Sequence, residues 1–218
     1  MTIVHIGIDL AKNVFAVHGV DEHGKRALVC PAVARQAPRG DRGPDVSFNA
    51  IDIADSIQGT PLIELSPEAV SQPVMHRVAT NFLTARAAAR HMVKKGLGVI
   101  LMITASPARM AWPLTGSFGI EGAAIEGLCR SLASELSPQG VRVHCIRSAG
   151  SPESFADDLN DSFGKAREEM TAMISKETLL KRAPSLAEVG NVAVLMASDY
   201  ASPMTGTVAN MTCGSIVD

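Results

Sequence analysis

The chain has 218 residues, 46% of them apolar and 19% charged. This balance excludes a disordered or fibrous polymer and allows one domain with a sizeable core. A formal net charge of −2 without a basic block gives no electrostatic case for binding nucleic acid or a membrane surface. No apolar run approaches the roughly 20 residues of a membrane-spanning helix, and Asp9 and Lys12 interrupt the N-terminal stretch where a secretory signal would be unbroken. Cys30, Cys129, Cys145 and Cys213 lie far apart with no Cys-x-x-Cys spacing, which reads as reduced thiols of a cytoplasmic protein.

Residues 1–35 hold three alternating or apolar runs, Ile3–Ile8, Val14–Val20 and Ala27–Val33, parted by polar turns containing glycine. That pattern predicts an antiparallel β meander. Residues 36–44, QAPRGDRGP, are polar and rich in Gly and Pro, as a junction would be. Val46–Ile51 then reads as a buried strand. Ser66-Pro67-Glu68 combines a hydroxyl cap, Pro at the first helical position and an acid in the first turn, and so opens a helix. Its apolar spacing runs to Val93, and Lys94, Lys95 and Gly96 end it.

The central stretch, 98–150, has the form of a βαβ unit. Val99–Ile103 is a short unbroken apolar run, as a strand covered on both faces would be. Within Phe118–Leu136, Ile120, Ala124, Ile125, Leu128, Leu132 and Leu136 recur at helical spacing, until Pro138-Gln139-Gly140 stops the helix. Val141–Ile146 is the second strand. Ser151-Pro152-Glu153 repeats the helix-start signal, and the charged stretch 155–180 reads as exposed helix or lid. Ser185 with Glu188 forms a capping box opening a helix through Ala197, and Thr207–Met211 closes the sheet.

These motifs, in this order, resemble the C-terminal two-thirds of a short-chain dehydrogenase/reductase. DVSFNAI (45–51) is similar to the strand ending in that family's Asn-Asn-Ala-Gly motif. ITAS (103–106) falls where its serine strand ends, and AAIEGLCRSLASEL (123–136) resembles its active-site helix. VRVHCIRSAG (141–150) resembles the strand before its Pro-Gly turn, and MASDYASPMTGTVANMTCG (196–214) its closing helix and last strand. The resemblance implies an α/β fold over residues 45–218: a truncated, doubly wound Rossmann-type domain with a mainly parallel sheet, preceded by the β meander. It also implies NAD(P) chemistry on a small carbonyl or alcohol. Residues 1–35 instead resemble the start of insertion-sequence transposases with a RuvC-like domain, whose first metal-binding acid would be Asp9. One carboxylate does not supply the converging oxygens of two-metal chemistry. Together the two resemblances suggest a gene fusion that replaced the dehydrogenase's first third.

In the family a Tyr hydroxyl is the general acid/base, a Lys four residues on lowers its pKa and holds the nicotinamide ribose, and a Ser and a helix Asn complete the site. Carried over, the Tyr and Lys positions are Phe118 and Gly122, neither of which has a titratable proton. Tyr200, the single tyrosine, is followed four residues later by Met204. Exact spacing puts the Ser at Ala105, flanked by Thr104 and Ser106, and the helix Asn is Asn81. Thr104, Ser106 and Asn81 are thus the catalytic remnants.

For cofactor binding the resemblance leaves Asn49 and Ala50 on the adenine-ribose side and Ser148 and Gly150 at the nicotinamide end. Ile51 replaces the motif's last Gly, and Ser148 the usual Pro. The Gly-rich diphosphate turn of the Thr-Gly-x-x-x-Gly-x-Gly kind is not found, so at most weak NAD(P) binding is expected. No histidine pair has ligand spacing, and no metal site is expected. Three functional readings follow: a dehydrogenase-like protein that is inactive or retains vestigial nucleotide binding, a non-catalytic protein that dimerises through the 118–136 helix, and a transposase-derived fragment without nuclease activity. With the family's first strands missing, Val46–Ile51 would be a raw sheet edge, which the meander is expected to cover by pairing.

Overall fold

The computed structural model describes residues 45–50, 56–154 and 167–217, together with the backbone of three N-terminal strands. The predicted junction 36–44, Ile51, the side chain of Asp9 and residues 155–166 of the predicted lid lie outside the described residues.

The N-terminal strands β1 (Ile3–Ala11), β2 (Val14–Asp21) and β3 (Arg26–Val33) form the predicted antiparallel meander. Its location differs from expectation. It is a separate three-stranded sheet, not hydrogen-bonded to the edge strand at residue 46, and β3 runs beside the helix at 186–197.

The second sheet is parallel, in the order β4 (Val46–Asn49), β5 (Gly98–Ala105), β6 (Val141–Ser148) and β7 (Thr207–Met211). Such a sheet must be covered on both faces. Helices α1 (Pro67–Lys95) and α2 (Phe118–Leu136) cover one face, and α4 (Leu186–Ala197) packs on the other. Helix α3 (Arg167–Glu177) lies in the predicted lid. Its neighbour in sequence, Pro152–Ser154, makes a single 3-10 turn at the predicted helix start.

The helix ends follow their sequence signals. Ser66 accepts a hydrogen bond from the Ala69 N–H at 3.1 Å, and Gly96 ends α1 in the left-handed conformation with φ 69°. The capping box at Ser185 and Glu188 is formed. Gly140, at φ +81°, is required twice over: a Cβ there would lie 2.0 Å from the Gly96 carbonyl oxygen, so the turns feeding β5 and β6 touch backbone to backbone.

Alternation along the strands sorts the core. Ile100, Met102, Val141, Val143 and Cys145 face α1 and α2, packing on Ala85, Met92, Ile125, Cys129 and Leu132. Val99, Leu101 and Ile146 face α4, against Ala193 and Met196. Each large aliphatic side chain so buried contributes about 1.5–3 kcal/mol of transfer free energy. The arrangement brings the C-terminal ends of β4 to β7 to one rim, where parallel α/β sheets place their sites.

Candidate active site

At that rim β5 ends in Ala105, paired in register with Ser148 of β6. The chain then makes a 3-10 turn, Ser106–Ala108, held by Arg109 N–H to Ser106 O (3.0 Å) and Met110 N–H to Ser106 O (2.9 Å). Helix α2 begins close by, with Phe118 and Gly122 in its first two turns.

The candidate hydroxyls already have partners inside the protein. Thr104 is 3% exposed and donates to Glu126 Oε1 at 3.2 Å, with Cys145 Sγ at 3.5 Å. The Ser106 hydroxyl lies 3.2 Å from that of Ser215, one donating to the other. Ser148 donates to the Ala149 carbonyl at 2.7 Å. Asn81, fully enclosed, donates from Nδ2 to the Arg77 carbonyl at 2.9 Å within α1. Asn49 is buried too, and no described residue bonds its side-chain amide. Ala50 and Gly150 are half-buried. The rim thus brings Asn49, Thr104, Ser106 and Ser148 to the ends of neighbouring strands, whereas Asn81 lies mid-way along α1.

Two buried charge clusters, not anticipated from sequence, lie behind the rim. Glu121 is fully buried; it accepts from Ser117 at 2.7 Å and from Ser56, and Arg77 Nη1 sits 3.5 Å from its Oε2. The Arg77 guanidinium also stacks over Phe118, 5.6 Å from the ring centroid. One turn further along α2, Glu126 takes a two-pronged contact from Arg147 of β6, Nε to Oε1 at 2.7 Å and Nη2 to Oε2 at 2.9 Å. Burial pushes the thiols of Cys129 and Cys145 up to about 12, so both stay protonated and unreactive at neutral pH.

Three glycines, two of them (Gly116 and Gly119) unremarked in sequence, shape the start of α2. A Cβ on Gly116 (φ +55°) would lie 2.0 Å from the Ile57 carbonyl oxygen, one on Gly119 2.7 Å from the Pro107 carbonyl oxygen, and one on Gly122 2.8 Å from the Ala108 Cβ. The signal for them was their spacing of three in TGSFGIEG (115–122), which places Gly119 and Gly122 on one helix face. All three are used for close approach of protein to protein. Among the described residues no group of three or more His, Cys, Asp or Glu is placed to hold a metal ion, and no described helix is long and apolar enough to cross a membrane.

This fold has counterparts among known proteins. A carveol dehydrogenase from Mycobacterium avium, solved in complex with NAD, superimposes with a TM-score of 0.70 at 19% identity, covering 78% of this chain and 64% of that one. An uncharacterised oxidoreductase of Thermotoga maritima is 26% identical over 88% of this chain and 78% of its own length. Tropinone reductase-like 3 of Erythroxylum coca is 32% identical over 59% of this chain, and the match spans about half of that relative (47%). The family model described as enoyl-(acyl carrier protein) reductase matches residues 29–215, beginning inside β3. With that match extending over most of its length, the chain belongs to the short-chain dehydrogenase/reductase family of oxidoreductases.

Proposed function

We propose that this protein is a catalytically impaired short-chain dehydrogenase/reductase with at most weak affinity for NAD(P). One observation carries the reading: the residues that the family resemblance assigns to the Tyr and Lys positions are Phe118 and Gly122, so this helix offers no proton to a carbonyl oxygen. The geometry supports it. Thr104 and Ser106 spend their hydroxyls on Glu126 and Ser215, and Asn81, without a Tyr and a Lys, has no relay to join.

The cofactor reading follows from kinship with nicotinamide enzymes, and the residues fit the group poorly. The Asn49 amide is enclosed, and the Ser148 hydroxyl is turned onto its neighbour's carbonyl. Titrating the full chain with NADH and NADPH, followed by nucleotide fluorescence, tests this part. No saturation below the millimolar range is expected, and saturable micromolar binding would refute it.

A second reading, a non-catalytic homodimer, draws support from the outward faces of α1 and α2. Met75, Phe82, Leu83 and Ile120 are all substantially exposed there, and isologous pairing of two copies would cover them. Residues 1–28 lie outside the family match. Their resemblance to a transposase start, together with their separate sheet, favours an origin by gene fusion without retained nuclease chemistry. A cytoplasmic location is in keeping with the reduced cysteines.

A further inference from the structure

The glycines at 119 and 122 do more than lack side chains. The Ser106–Ala108 turn lies against them: the Pro107 carbonyl oxygen is 2.7 Å from where a Cβ of residue 119 would be, and the Ala108 methyl is 2.8 Å from where a Cβ of residue 122 would be. From the other side the turn is held by the Ser106–Ser215 hydroxyl pair, and Ser215 belongs to a C-terminal turn that is itself fastened. The Ser215 N–H bonds the Thr212 carbonyl at 3.1 Å, the Ile216 N–H bonds Thr212 Oγ1 at 3.2 Å, and Asn210 Nδ2 reaches the Ile216 carbonyl at 2.9 Å. Further out on the same side, the Leu180 N–H bonds the Cys213 carbonyl at 3.1 Å.

We propose that the Ser106–Ala108 turn is an internal plug, clamped between the glycine face of α2 and the C-terminal turn, that closes the rim where the family presents its lysine. This rests on the assignment of Gly122 to the lysine position and goes beyond loss of the side chain: the space for one is gone as well. A lysine lost by drift alone leaves a gap, whereas here a Cβ at 122 would already lie 2.8 Å from the Ala108 Cβ. The chain has settled into a closed form in which Ala108 and Gly122 are complementary, so a side chain at 122 must displace the turn. Restoring Tyr and Lys by point substitution therefore fails sterically before it can be judged chemically.

The test is a double-mutant cycle on thermal unfolding of the full chain, using wild type, Gly122→Lys, Ala108→Gly and the pair, with Gly122→Ala in parallel in case the lysine variant does not fold. Gly122→Lys, and to a lesser degree Gly122→Ala, should lower Tm by roughly 3–10 °C, the usual range for forced overpacking in a chain of this size. Ala108→Gly should recover a good part of that loss. Equal losses with and without Ala108→Gly, or no loss at all, would overturn the plug. Turnover by the wild-type protein would instead refute the impaired-enzyme reading while leaving this coupling unchanged, so the two failures are distinguishable.

Discussion

On the α1/α2 face of the parallel sheet a buried cation from β6 meets a side-chain carboxylate; on the α4 face a half-buried one meets backbone carbonyls. Arg147, pointing to the first face, is locked to Glu126 by two hydrogen bonds. Arg142, pointing to the second, donates to the carbonyls of Met196, Ala197, Ser198 and Ala201 at 2.8–3.2 Å. The difference lies in what each face offers. Two long helices lie along the first face and bring side chains to the strand, whereas α4 ends over the second and presents the unsatisfied carbonyls and negative pole of its last turn. A charge on β6 is tolerated in either setting, but the consequences of disturbing it differ.

The contrast is sharpest for Glu126→Ala. It leaves Arg147 enclosed without its carboxylate and should destabilise the protein by about 3–5 kcal/mol, read as a lower urea midpoint. Replacing the pair together, Glu126→Leu with Arg147→Met, should regain most of the loss, because neither charge is then stranded. If the double replacement were as damaging as the single, the pair would owe its place to something other than mutual neutralisation.

Arg142→Ala should lose less, about 1.5–3 kcal/mol, since the helix end it caps can turn to water. Hydrogen exchange should quicken chiefly at residues 194–201, the end of α4 and the turn after it. A loss spread evenly over both faces would erase the distinction.

A further effect, confined to one pH window, concerns His144. Burial, reinforced by the neighbouring Arg142, holds His144 down at about 4 against an ordinary 6.5. Between those values the unfolded chain binds a proton that the folded chain does not. His144 therefore draws stability down as pH falls from 6.5 to 4, and its effect levels off below 4. The difference in stability between wild type and His144→Asn should vary through that window and be flat above pH 7. A flat difference throughout would mean that the ring is hydrated.

Much of the fold is legible in the sequence because its signals are local. The cap at Ser66, the stop at Gly96, the apolar run of β5 and the box at Ser185 each lie within a few residues and are set by backbone hydrogen bonding. The site is less legible because its partners are distant. Nothing near Glu126 announces Arg147, which reaches it from the neighbouring strand. Glu121 does carry a hint, since its spacing from Ile125 and Leu132 puts it on the apolar stripe of α2, where a carboxylate needs a buried cation. The glycines at 119 and 122 mark a helix face but not what fills it. For the meander, alternation fixes the strands without naming the neighbour, and the expected pairing with β4 gave way to a separate sheet beside α4.

The proposed impairment, with Phe118 and Gly122 in place of a Tyr and a Lys, is tested most directly by turnover. Purified full-length protein would be incubated with NADH or NADPH and a panel of aldehydes, ketones and enoyl thioesters, and substrate-dependent loss of the nucleotide's absorbance followed. The prediction is no consumption above the rate without protein. Saturable, substrate-dependent oxidation of either nucleotide that survives Thr104→Val and Ser106→Ala would contradict it, because a donor would then exist that Phe118 and Gly122 do not provide.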